Sequence, residues 1–268
     1  MTTPLQRSAV VIDNVRLARD TFRIRLACPA IAAAIRPGQF VMLRLLGGSD
    51  PLLGRPFALY DTTPDETAID VVYLVVGKMT GLLKDVQPGE RVDVVGPLGN
   101  GFPALAGDVA LVAGGIGQTP FLAHVRELLG TRGYGGRPAT KTADRVRLYY
   151  GVRSVDLAAG VEDFRAAGAE VHLASDDGTL GYRGFVTQLL ATHDRPGVIV
   201  GCGPEPMLHA LAALAKSWGV PCHVSLETPM ACGLGICFSC VTKVKTPDGW
   251  DYKRVCVDGP VFDAADLA

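Results

Sequence analysis

The stretch Cys232-Gly233-Leu234-Gly235-Ile236-Cys237-Phe238-Ser239-Cys240 sets three thiols within nine residues, and a fourth, Cys256, follows after fifteen intervening residues. Four thiolates spaced C-x4-C-x2-C…C can enclose two irons and two bridging sulfides, the close spacing of plant-type [2Fe-2S] sites. Electron transfer is therefore the leading expectation for the whole chain, with Cys232, Cys237, Cys240 and Cys256 as candidate ligands. Gly233 and Gly235 permit positive φ and a close approach of backbone N–H groups to the sulfurs. A zinc site or a disulfide pair competes less well, because structural zinc usually recruits two knuckles and only Cys237 and Cys240 form one. A Rieske centre needs two histidines, and only His223 lies near in sequence.

With 268 residues, 48% of them hydrophobic, the chain can bury a sizeable core and is long enough for two domains or more. A formal net charge of -1 supplies no electrostatic argument for nucleic acid or an anionic membrane surface. The best candidate for a membrane span, Val109 to Val125, is broken by Gly114, Gly115, Gly117 and Pro120. Met1 to Arg7 lacks the apolar core of a signal peptide. Cys28, Cys202 and Cys222 have no evident disulfide scheme, which fits a reducing cytoplasm, and they are expected as buried free thiols.

From Ser8 to about Phe102 short β-rich runs alternate with turn residues: Ala9–Ile12, Phe22–Leu26, Gln39–Leu45, Phe57–Asp61, Ala68–Val76 and Arg91–Val95. Arg36-Pro37-Gly38, Gln87-Pro88-Gly89 and Gly96-Pro97-Leu98-Gly99 punctuate them at the spacing of a small antiparallel barrel. After Pro103 the rhythm changes. Apolar strands at Val109–Ala113, Val146–Tyr150, Glu170–Ala174, Val198–Val200 and Cys222–Leu226 alternate with helix-length segments at Thr119–Leu129, Val155–Ala167, Phe185–His193 and Glu205–Trp218. That series predicts a parallel sheet with helices on both faces, and Gly130 and Gly219 stand where helices should end. Thr131–Asp144 reads as an exposed basic loop without a role. The expected fold is multidomain α+β: an antiparallel β-barrel over 1–104, an α/β parallel-sheet domain over 105–226 and a small cluster-bearing unit over 227–268 that draws part of its stability from metal.

Three further constellations carry chemistry. Arg55-Pro56-Phe57-Ala58 begins a strand, and Gly77-Lys78-Met79-Thr80-Gly81 opens a short helix, so an arginine and helix N-terminal N–H groups can share a pyrophosphate. Gly114-Gly115-Ile116-Gly117-Gln118-Thr119-Pro120 joins a strand to a helix but lacks the third glycine of the G-x-G-x-x-G fingerprint, so a tight turn with no ligand stays open. Gly201-Cys202-Gly203-Pro204-Glu205-Pro206-Met207 sets a thiol at the mouth of the sheet, and a nucleophilic cysteine is the rival reading there.

In this order, with Arg254-Val255-Cys256-Val257-Asp258-Gly259-Pro260 closing the cysteine box, these motifs resemble the ferredoxin-reductase-like flavoproteins. Among those they are similar to the electron-transfer subunits of NAD-dependent dihydroorotate dehydrogenase B, over nearly the whole chain. The resemblance implies FAD in the barrel, held by Arg55, Pro56, Phe57 and Ala58, by Val72, Tyr73 and Leu74, and by Met79 and Thr80. It puts NAD as co-substrate against Gly115, Gly117 and Cys202, and the [2Fe-2S] cluster on the four cysteines. Asp176 and Asp177 are candidates for the ribose hydroxyls, favouring NAD over NADP.

Ala58 and Met79 depart from the family pattern. The first loses a hydroxyl beside the flavin, and the second sets a bulky side chain where backbone approach is normal. The implied partner is an FMN-containing dihydroorotate dehydrogenase catalytic subunit, in a heterotetramer of two of each, serving pyrimidine biosynthesis. The alternatives are a reductase of the same modules serving a ferredoxin or a sulfur-reducing complex, and a metal-stabilised module without flavin. Leu234, Ile236 and Phe238 either dock a partner or pack inward against the barrel.

Overall fold

The computed structural model describes residues 3–47 and 50–268. Met1 and Thr2, at the head of the segment read for a signal peptide, lie outside the described residues.

The β-rich half forms a seven-stranded antiparallel sheet from β1 (Leu5–Ala18), β2 (Thr21–Ala27), β3 (Phe40–Leu45), β4 (Arg55–Ala58), β5 (Asp61–Thr62), β6 (Ala68–Leu74) and β7 (Arg91–Leu98), ordered β4-β3-β7-β1-β2-β6-β5. Two short helices, α1 (Pro29–Ala32) and α2 (Lys78–Leu83), sit in its connections. The pleat sends alternate residues inward: Ile24 and Leu26, Val41 and Leu43, Ile69 and Val71, and Val92 and Val94 are all fully buried in one core. The single strand expected at Phe57–Asp61 is two strands on opposite edges of the sheet. Between them the Leu59 N–H donates to Gln39 O at 3.0 Å and the Tyr60 N–H to Asp70 O at 2.9 Å, so the crossing closes the sheet into a barrel.

Beyond Pro103 run β8 (Gly107–Gly114), α3 (Phe121–Leu128), β9 (Ala143–Val152), α4 (Val161–Ala166), β10 (Glu170–Ser175), β11 (Tyr182–Arg183), α5 (Val186–Ala191), β12 (Val198–Cys202), α6 (Glu205–Trp218) and β13 (Cys222–Ser225). The central order β10-β9-β8-β12-β13 is parallel throughout, and strand order reverses at β8. Val109, Leu111 and Ala113 of β8 pack under α3 and α4, while Ala110 and Val112 face α5 and α6. Both faces are covered, which is why these strands read as continuous apolar runs. Gly130 and Gly219 end α3 and α6 with φ of 67° and 68°.

The helix expected over Val155–Ala167 is broken: a 3-10 turn at Val155–Leu157 precedes α4. Tyr60 of the barrel is the reason. A Cβ at Gly160 would lie 2.3 Å from its hydroxyl oxygen, and the Tyr60 hydroxyl donates to Asp163 Oδ2 at 2.7 Å. The loop after α3 also departs from expectation, for Tyr134 is buried and donates to Asp61 Oδ1 at 2.6 Å. Arg132 Nη1 donates to both Asp61 oxygens at 3.0 Å, and Arg126 Nε lies 3.1 Å from Oδ2 as an ion pair. One charge of this loop, Arg132, is thus spent on a buried carboxylate of the barrel, while residues 136–142 are exposed. Burial raises the Asp61 carboxyl above its ordinary range, opposed by the Tyr134 hydroxyl and the two guanidinium groups.

The last segment adds a hairpin, β14 (Val241–Thr246) and β15 (Gly249–Arg254), and a strand, β16 (Val261–Asp263), that pairs antiparallel with β13. Its Met230, Cys240, Val255 and Cys256 share a core with Phe40, Met42 and Leu98 of the barrel. The Asn100 side chain fastens it further, donating to Asp258 O and Val261 O at 3.2 and 3.1 Å and accepting from the Val261 N–H at 3.1 Å. Among the described residues no helix is long and apolar enough to cross a membrane.

Asp61→Asn leaves Arg132 and Arg126 without their counter-charge. It is expected to cost on the order of 3 kcal/mol of stability, read as a fall in the urea midpoint. His124 of α3 is fully buried, stacks on Phe102 at 4.3 Å, and has no partner for Nε2. Burial lowers its pKa, so the unfolded chain takes up the proton first as pH falls below about 6.5 and stability is lost in that direction. His124→Phe should flatten the fall in thermal midpoint between about pH 7.5 and pH 5.5.

Candidate functional site

A cavity of about 910 Å³ opens where the three parts of the chain meet. The barrel contributes Arg55, Pro56, Phe57 and Ala58 of β4, Val72, Tyr73 and Leu74 of β6, and Gly77 to Thr80 at the start of α2. The α/β sheet contributes Gly117 and Cys202, and the C-terminal unit Pro229, Met230, Ala231 and Ser239. Of the residues expected to hold a dinucleotide or flavin, Gly115, Asp176 and Asp177 lie outside this wall.

On the barrel side, Arg55 is exposed and donates only to the carbonyls of Leu53 and Gly54, each at 3.0 Å, so its charge faces the cavity uncompensated by a carboxylate among the described residues. Nothing lies within 4 Å of where a Gly77 side chain would be, which leaves room for an anionic group against the backbone. Thr80 is buried and structural: its hydroxyl accepts the N–H groups of Val76 and Gly77 at 3.1 and 3.2 Å and shapes this turn. The Met79 side chain belongs to the barrel core, so the bulk expected to obstruct backbone approach points away from it. Tyr73 likewise turns into that core, stacked on Phe22 at 5.9 Å with its hydroxyl donating to Asn14 Oδ1 at 3.0 Å. These features fit a flavin dinucleotide: a free cation, an open backbone shelf and an apolar floor.

On the sheet side the cavity reaches the switch point between β8 and β12, where open α/β sheets bind ligands. The glycines there serve the close packing of two βα loops. A Cβ at Gly117 would lie 2.2 Å from Cys202 O, and one at Gly203 would lie 3.0 Å from Gly114 Cα. Gly115 has φ of 56° and open space around it. Burial, reinforced by Glu227, pushes the Cys202 thiol up to about 12, so at neutral pH it is protonated and no thiolate nucleophile is present. Asp177 is occupied by its own turn, accepting the Thr179 N–H at 2.9 Å and hydroxyl at 2.6 Å, and neither it nor Asp176 borders the cavity.

Ser225, Glu227, Thr228 and Pro229 line the cavity with no motif in the sequence to mark them. Their signal was positional, for they follow the C-terminal end of a parallel strand beside the switch point.

At the cluster loop Cys232 lies beside Cys237 and Cys240 beside Cys256, and Cys232 is also near enough to act on Cys256. Gly233 and Gly235 have φ of 69° and 79°, and Phe238 has 55°, so the chain curls around this spot. The Leu234 N–H donates to Cys232 Sγ at 3.3 Å, and Ser239 holds the Cys237 thiol down at about 6, where it is largely thiolate. Paired sulfurs, turned-in N–H groups and an acidic thiol fit a binuclear iron-sulfur cluster.

Residues 227–268 match the iron-sulfur cluster binding domain of dihydroorotate dehydrogenase B, and residues 8–102 match the oxidoreductase FAD-binding domain. Relatives called dihydroorotate dehydrogenase B (NAD(+)), electron transfer subunit, are 38% identical in Bacillus caldolyticus, covering 97% of this chain and 98% of the relative, and 37% identical in Geobacillus thermodenitrificans, covering 96% of each. The chain belongs to this family of electron-transfer subunits. A solved NADH-dependent reduced ferredoxin-NADP oxidoreductase, described for flavin-based electron bifurcation, superposes with a TM-score of 0.82 at 29% identity, over 97% of this chain and 89% of that one. The family's FAD-binding and cluster-binding domains are thus the two walls on either side of the cavity.

Gly117→Ala should cost about 1–3 kcal/mol by forcing two backbones apart, whereas Gly115→Ala costs only about 1 kcal/mol for its positive φ. Thermal denaturation of the two variants side by side checks the order.

Proposed function

We propose that this chain carries electrons between NAD(H) and the FMN-containing catalytic subunit of a cytoplasmic dihydroorotate dehydrogenase, by way of FAD and a [2Fe-2S] cluster. The observation that carries this reading is the single cavity bounded by Arg55, by the β8–β12 switch point and by the cluster-bearing unit. Arg55 and the shelf at Gly77 and Met79 hold the FAD pyrophosphate, Pro56, Phe57 and Ala58 with Val72, Tyr73 and Leu74 border the ring system, and Thr80 keeps the shelf in shape. Gly115, Gly117 and Cys202 form the nicotinamide side. Cys232 and Cys237 hold one iron, and Cys240 and Cys256 the other. The division at 104/105 and 226/227 follows these three tasks.

When bound, the flavin exchanges hydride with a nicotinamide and single electrons with a cluster. The protein's part is to position both and to exclude water, which the apolar walls from Phe57, Val72, Ile116 and Met230 accomplish. No acid or base is asked of Cys202, whose neutral thiol packs against the site. Leu234, Ile236 and Phe238 are 45%, 79% and 59% exposed, so the cysteine loop presents an apolar face to a partner rather than packing inward.

A second reading, a reductase serving a ferredoxin, is favoured by the likeness to the ferredoxin-NADP oxidoreductase. Co-expression with a dihydroorotate dehydrogenase catalytic subunit should give NAD-linked orotate formation; activity with ferredoxin alone would favour the second reading. Cys237→Ser should abolish delivery to the partner while NADH oxidation by an artificial two-electron acceptor continues. Loss of both would refute the division of labour.

A further inference from the structure

Ser239 lies inside the cysteine box, at the border between the cavity and the cluster loop, and it is not itself a cysteine ligand. Its hydroxyl oxygen accepts the Ala231 N–H at 3.2 Å and lies 3.2 Å from Cys237 Sγ and 3.5 Å from Pro229 O. Ala231, Pro229 and Ser239 itself all border the cavity. One hydroxyl therefore touches the flavin-side wall and a cysteine sulfur together.

The direction of the bond follows from proton counting. The hydroxyl has one proton, and a cysteine bound to iron has none, so the contact to Cys237 holds only with Ser239 as donor. The competing acceptor, Pro229 O, sits at the outer limit of hydrogen-bond distance, whereas 3.2 Å is close for the larger sulfur atom. The Ala231 N–H fills one lone pair of the oxygen and so orients the hydroxyl. Cys232, by contrast, receives its donor from the main chain, the Leu234 N–H. Among the described residues Ser239 is the only side-chain donor to a sulfur of this loop.

We propose that Ser239 is a positioning residue that sets the reduction potential of the cluster by donating a hydrogen bond to Cys237, an inference that rests on the cluster assignment above. Reduction adds negative charge that is shared with the cysteine sulfurs, and a donor aimed at one of them stabilises the reduced form and raises the potential. Removing that donor lowers it. The Ser239 link to Ala231 also keeps the sulfur in register with the cavity wall.

The test is a dithionite titration followed by paramagnetic resonance on the intact protein and on Ser239→Ala, Ser239→Thr and Ser239→Val, with iron and sulfide counted first. Ser239 is exposed, so the added methyl groups have room, and Thr and Val form an isosteric pair that differs in the hydroxyl. Ala and Val are expected to lower the reduction equilibrium about tenfold, or 59 mV for one electron, and Thr to keep the parent value. Equal potentials in Thr and Val, or an Ala variant that titrates like the parent, would overturn the role of Ser239. A parent protein without iron and sulfide would instead overturn the cluster assignment beneath it.

Discussion

The crossing at Leu59 and Tyr60 is the constraint on which the rest of the molecule depends. Two backbone N–H groups bind opposite edges of one sheet, and that closure does three things at once. It sets Arg55 to Ala58 along the cavity, it sends the Tyr60 hydroxyl into α4, and it buries Asp61 where Arg132 and Tyr134 of the neighbouring domain meet it. An eight-residue segment thus supplies the barrel's seam, one wall of the site and the lock between two domains. A buried carboxylate is a costly group to use for this purpose, and its cost is offset only while all its partners stay in place.

The C-terminal unit is held by a different logic. Its few apolar residues make no core of their own; they pack on β3 and β7, and β16 extends the sheet of the middle domain. Gly233 lies so close to Met42 that a Cβ would stand 2.7 Å from its Cγ. The cysteine loop is consequently positioned against the cavity by protein contacts, and metal is not the only thing that orders it. For electron transfer this matters because the spacing of flavin and cluster is then a property of packed surfaces.

Much of this was legible in the chain. The change from two-residue alternation to long apolar strands with helix-length spacers announced two architectures, and Glu205–Trp218 was read to the residue because Pro and Gly punctuate its ends. The departures from local expectation come from packing that the sequence does not display. Met79 looked like an obstruction because its direction could not be known. Arg132 and Tyr134 read as part of a solvated loop because Asp61, their partner, lies some seventy residues away. The helix over Val155–Ala167 looked continuous because nothing local announces that Tyr60 needs the space at Gly160.

The sequence alone determined the chemistry on offer: four thiols at cluster spacing, an arginine at the start of a strand, and glycine turns at two strand ends. These follow from covalent spacing and local backbone freedom, which need no tertiary partner. Only the tertiary structure decided that the arginine, the β8 and β12 turns and the cysteine loop share one cavity, and that Ser225, Glu227 and Ser239 join them. That juxtaposition comes from packing between segments far apart in the sequence, and it is the buried surface between them, not any motif, that brings them together.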